Sequence, residues 1–126
     1  MGCQSENSGG AEDAEVENLY EEVMYIHDDV MPKISLIQEL QGKIKTRQEA
    51  GEMDAEQQTA HKDALLALNT AEQAMWDWMH AFSDNYGKTT TKEEKMAFLS
   101  EEKIAITDVR DKMLSSISQA EELLTQ

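Results

Sequence analysis

VENLYEEVMYIHDDVMPKISLIQELQGKI, residues 16–44, carries a valine or isoleucine at every seventh position: Val16, Val23, Val30, Ile37 and Ile44. Leu19, Tyr20, Ile26, His27 and Ile34 fill the positions between them. Seven residues are close to two turns of α-helix, so these side chains line one face while charged and amide residues hold the rest of the circumference. A face of this kind needs a partner face to remove it from water. Pro32 interrupts the run. A proline within a helix lacks the N–H for one backbone hydrogen bond and crowds the preceding turn, which predicts a kink near Asp28–Met31, or a full break if residue 31 leaves the helical region.

The same pattern recurs twice downstream. The first helix is expected from about Ala11 to Gln48, closed by Gly51 as a C-cap glycine. Asp54 with Gln57 three residues later reads as an N-cap pair opening a second helix from about Asp54 to Asn85. Its stripe is His61, Ala64, Leu68, Ala71, Met75, Trp78, Met79 and Phe82. Tyr86-Gly87-Lys88 breaks the pattern, and Thr91 with Glu94 forms a capping box for a third helix reaching about Leu124. Leu99, Ile106, Val109, Met113, Ile117, Ala120 and Leu124 are its apolar positions. There is no strand signal and no repeat longer than the heptad. Short connections make sequential helices antiparallel. The expected fold is all-α: an up-down-up antiparallel three-helix bundle over residues 11–126, with helices of ~45–55 Å at about 1.5 Å per residue and the first kinked near Pro32.

Composition narrows the function classes. The chain has 126 residues, 40% of them hydrophobic, and a formal net charge of −15. Glu6, Glu12, Asp13, Glu15, Glu17, Glu21, Glu22, Asp28 and Asp29 all precede the first base, Lys33. That field repels a phosphate backbone, so no nucleic-acid partner is expected. It also repels anionic headgroups, so membrane association would need a covalent anchor. No apolar run approaches the ~20 residues of a spanning helix.

Cys3 could supply that anchor. Met1-Gly2-Cys3-Gln4-Ser5 has three readings. Gly2-Cys3 matches the end of a bacterial lipobox, in which the cysteine sulfur carries a diacylglycerol, and the polar run 4–10 then serves as a flexible spacer. N-myristoylation at Gly2 would want a hydroxyl at position 6, where Glu6 stands. The third reading is a plain surface thiol. The first fits best, giving a tether over residues 1–10 and an address in the bacterial cell envelope, lipid-anchored and facing the periplasm or the exterior.

Pairing the first two helices about their turn sets His27 opposite Asp77, and the next turn sets Asp77 near Leu99. One layer then gathers Met24, His27 and Met31 with Met75, Trp76, Trp78, Met79 and Phe82, and with Met96 and Phe98. Thioethers with an imidazole suit Cu(I), and a His/Met pair can ligate haem. Packed methionines and aromatics at helical spacing are more often core, with sulfur against ring edges. His27 turns inward and His80 turns to water, so those two do not converge. Trp76 lies on the flank of its stripe, either as a contact residue or lapped over the neighbouring helix. Leu66 and Ile104 fall on outer faces. Catalysis has little support: no Gly-rich phosphate loop, Glu-x-x-His pair or His-Glu-x-x-His motif is present.

His27-Asp28-Asp29-Val30-Met31-Pro32-Lys33 and Met75-Trp76-Asp77-Trp78-Met79-His80-Ala81-Phe82 resemble two signature stretches of small Bacteroidota lipoproteins, often labelled "viral A-type inclusion protein"-like. Thr91–Leu124 is similar to that family's last helix. The resemblance implies an envelope protein lipidated on Cys3 and implies no activity. It makes His27, Met31, Pro32, Trp78, Met79 and Phe82 the residues to probe first. The expectation is therefore a non-enzymatic interaction or scaffold module without a cofactor, partnered by another envelope protein or a second copy. Small-molecule or metal binding in the His/Met/Trp layer is the alternative.

Overall fold

The computed structural model describes residues 2–126, with side chains described from Ala14 onward. Four helices follow in order: α1 (Gly2–Val30), α2 (Ile34–Ala50), α3 (Ala55–Tyr86) and α4 (Lys92–Leu124), with a 3-10 turn at Met31–Lys33 between the first two. α1 and α2 together form one bent rod. With α3 and α4 they make the three-helix bundle that the stripes predict, and no strand occurs among the described residues. α1 begins upstream of the Ala11 start that the apolar pattern suggests. The expected tether and its Cys3 anchor lie outside the residues whose side chains are described.

The local signals act where the sequence places them. Gly51 sits at φ 74°, the left-handed conformation that ends α2 at little cost only for glycine. Asp54 accepts from the Gln57 backbone at 2.8 Å while the Gln57 side chain accepts from the Asp54 backbone at 3.0 Å. Thr91 and Glu94 form the equivalent reciprocal pair at the start of α4. Asp54→Ala leaves the Gln57 N–H in the first turn of α3 to water, so it should lower stability by about 1 kcal/mol in denaturant unfolding. An unchanged midpoint would mean the cap carries no net stabilisation.

Pro32 bends the first rod without breaking it. The chain tightens to a 3-10 turn, closed by the Ile34 N–H on the Met31 carbonyl, and then resumes α-helix. The heptad stays in phase across the turn: Val23, Val30, Ile37 and Ile44 are all fully buried. They join Leu68, Met75, Leu99, Ile106 and Met113 in one core running the length of the bundle.

The three rods are not equally spaced. The α1 backbone packs closely on α4 and stands farther from α3, whereas α2 packs on both. Side-chain size explains this difference. The α1 half holds the rings of Tyr20, His27, Trp78, Phe82, Tyr86 and Phe98, which fill the gap to α3. Beyond the proline the facing α3 residues are Ala64, Leu68 and Ala71, so α2 can close in. Gln38 and Gln41 then bridge α2 to Glu72 at 2.9 and 3.0 Å, and Gln41 also donates to Asn69 at 2.9 Å. At the far end Arg47 donates to the Leu123 and Leu124 carbonyls at 3.3 and 2.6 Å. A cation thus meets the unsatisfied C-terminal end of α4, where the helix dipole favours it.

Candidate functional site

The rings of the layer singled out from the sequence meet, as an aromatic ladder rather than a cavity rimmed by donors, while Met96 is only half-buried. His27 on α1 stacks on Trp78 of α3 with centroids 5.7 Å apart. Trp78 stacks on Phe82 at 4.9 Å, and Phe82 on Tyr86 at 5.5 Å with planes 5° apart. These three residues recur every four positions on α3, so their rings overlie one another along one side of the helix. Tyr20 closes the ladder from α1 at 5.8 Å from Phe82, and Phe98 closes it from α4 at 5.6 Å.

The expected α3–α4 register is off by about one turn. Trp78 donates its indole N–H to Glu102 at 3.1 Å, so Glu102, not Leu99, stands level with it. Leu99 is fully buried one turn away. Trp76 is half-buried and packed against the core. The Gln38–Glu72 bridge and the His27–Trp78 stack lie on either side of it, which sets Trp76 beside the 3-10 turn. Its side chain reaches back along α3 to Glu72. Met24, Met31 and Met79 are half-buried against the same core, and Met75 is fully buried.

Three histidines have three environments. His80 is exposed and donates from Nδ1 to the Trp76 carbonyl at 2.9 Å. His61 is 4% exposed; its Nδ1 donates to the Gln57 carbonyl at 2.7 Å. His27 directs Nδ1 to the Asp28 carboxylate at 3.0 Å. In both His27 and His61 the remaining nitrogen, Nε2, is buried with no hydrogen-bond partner. An unpartnered buried acceptor is costly and uncommon. Among the described residues no cluster of three or more His, Cys, Asp or Glu side chains could hold a metal ion.

The carboxylates near the site divide by environment. Burial pushes Glu102 above the ordinary 4.5, against the opposing bond from Trp78, and neighbouring Glu101 adds to the rise. Glu72 moves the other way: the Gln38 amide, aided by Gln41 and Trp76, holds it below 4.5 despite some burial. Glu102 therefore binds its proton more tightly folded than unfolded. Its contribution is fully present below pH 4.5 and is lost as pH rises through the raised value. Glu102→Gln keeps an acceptor for Trp78 without the charge. It should raise the urea midpoint at pH 7, with the gain disappearing at pH 4 and below. Equal midpoints at pH 7 would show that Glu102 carries no burial cost.

Sequence reasoning missed Tyr20, Tyr86 and Glu102. Tyr20 lies seven residues before His27, on the same flank of the stripe, and Tyr86 continues the four-residue spacing of Trp78 and Phe82. Glu102 is a carboxylate set inside an apolar stripe, three residues after Leu99 and four before Ile106. Among the described residues no helix is long and apolar enough to cross a membrane. No protein-family model, no curated protein and no solved structure matches the chain.

Proposed function

We propose that this chain is a non-enzymatic helical module of the bacterial cell envelope, held to a membrane by lipid on Cys3, that presents its outer surface to another envelope protein or to a second copy. The observation that supports this reading most is the closed ladder from His27 through Trp78 and Phe82 to Tyr86. It joins the rods where a catalytic cleft would otherwise have room. What remains for recognition is the long acidic exterior. The Gly2-Cys3 pair and the two stretches resembling Bacteroidota lipoproteins support the address.

The test is cross-linking in intact envelopes of the native host, followed by mass spectrometry. One or a few partners should appear reproducibly, and Cys3→Ala should move the protein to the soluble fraction. Recovery of the chain alone, as a monomer, would sink the interaction reading. Unchanged membrane association of Cys3→Ala would sink the anchor.

A second reading has one specific observation behind it. His27 Nε2 is buried and unpartnered beside a ring stack, with Met24 one turn before it on α1 and Met31 at the start of the 3-10 turn. A soft cation such as Cu(I), or a small apolar guest with one donor, would satisfy that nitrogen. Titration with Cu(I) under reducing conditions, wild type against His27→Ala, decides it. Identical curves remove the metal form of this alternative.

A further inference from the structure

We propose that the trough between α3 and α4 takes a basic amphipathic helix from a partner protein, its apolar ridge against Leu66 and its cations against Asp63 and Asp111. This rests on the interaction reading above and names the surface and the chemistry of the partner.

The trough is open, about 610 Å³, and lies on the outer side of the α3–α4 seam. It runs along residues 63–71 of α3 and 111–119 of α4. That length is ~12 Å, about two turns of a guest helix, enough for apolar side chains at i, i+3 and i+7. Small residues create it. Ala67 and Ala71 form the α3 side of the floor and Ser116 the α4 side, so a guest backbone can come close. The Ser116 hydroxyl already donates to the Met113 carbonyl at 2.9 Å. The floor therefore suits hydrocarbon better than a polar small molecule. Leu66 forms one wall and is 64% exposed, a large apolar side chain left in water with the trough beside it.

Charge identifies the occupant. Asp63 has no cation partner among the described residues. Asp111 has only Arg110 on its own helix, at 3.4 Å. Lys112, the one cation on the rim, is held by Asp108 at 3.1 Å. The rim is thus net acidic on a chain of charge −15. A second copy would bring the same carboxylates against these, whereas a helix with lysine or arginine beside its apolar ridge complements them.

The experiment uses the full chain and a synthetic 18-residue Leu/Ala/Lys amphipathic helix, with a scrambled peptide of identical composition as control. Peptide anisotropy and backbone amide NMR shifts are the readouts. The amphipathic peptide should bind at least about tenfold tighter than the scrambled one, with shifts confined to residues 63–71 and 111–119. Ala67→Gln, which fills the floor from a half-buried position, should weaken binding about tenfold. Asp63→Asn should weaken it less and flatten its salt dependence.

Equal binding of the scrambled peptide, shifts spread over other acidic faces, or wild-type affinity in Ala67→Gln would each overturn the proposal. A dimer at micromolar concentration that Leu66→Ser dissociates would overturn it in favour of a second copy. If envelope cross-linking yields a partner that Ala67→Gln still captures, this trough is wrong and the interaction reading stands. If cross-linking yields no partner, it is the interaction reading that fails.

Discussion

Trp78→Ala will lower the unfolding free energy by about 3–5 kcal/mol, the range for truncating a large buried aromatic. Trp78 is 7% exposed and touches three partners at once: the rings of His27 and Phe82, and Glu102 through its indole N–H. Alanine removes both stacks, opens a void where α1 stands off from α3, and leaves Glu102 half-buried without its donor. A fall in melting temperature on the order of 10–15 °C accompanies that loss in a domain of this size. Trp78→Phe separates the contributions. It keeps ring contact with Phe82 and loses only the hydrogen bond and part of the volume, so it should cost roughly 1–2 kcal/mol. Chemical denaturation of the two variants checks the ordering. If alanine costs no more than phenylalanine, the ladder does not hold the bundle together at this end.

Ile37→Ala should lower stability by about 2–5 kcal/mol. Ile37 is fully buried just beyond the Met31–Lys33 turn, and Val30 is fully buried just before it. The core treats them as successive members of one stripe, although the helix between them is interrupted. Val30→Ala should therefore also destabilise, by a smaller amount, because fewer methyl groups are removed. A loss under ~1 kcal/mol at Ile37 would mean that α2 is docked by its polar bridges, Gln38 and Gln41 to Glu72, and not by the heptad. Hydrogen exchange of the α2 amides in the same variant gives an independent check, since a loosely docked α2 exchanges ahead of α3.

Much of the bundle was legible along the chain. Val23, Val30, Ile37 and Ile44 announced the buried face of the first rod, and the caps at Gly51, Asp54 and Thr91 marked its turns. The inward turn of His27 and the outward turn of His80 followed from angle alone. The composition of the aromatic layer was half legible. Trp78, Phe82 and Phe98 were placed in it, while Tyr20 and Tyr86 extend it one step further along α1 and α3, and Glu102 joins only through the register of α4 on α3. The acidic rim of the α3–α4 trough was visible as charge, but not as a rim, since Asp63 and Asp111 are far apart in sequence.

By itself the sequence determined where the first rod ends, where α3 and α4 begin, and which side of each avoids water. Those properties depend on residues within a turn or two of one another: a glycine that tolerates positive φ, a side chain that reaches back to an N–H three residues away, a proline lacking a donor. Only the tertiary structure decided that Trp78 meets Glu102, that Arg47 meets the end of α4, and that α1 stands away from α3. These contacts join residues 24 to 77 positions apart. Their alignment is the sum of turn lengths, a 3-10 overwinding and ring sizes, and an error of a few ångströms in any one of them moves a contact by a full helical turn.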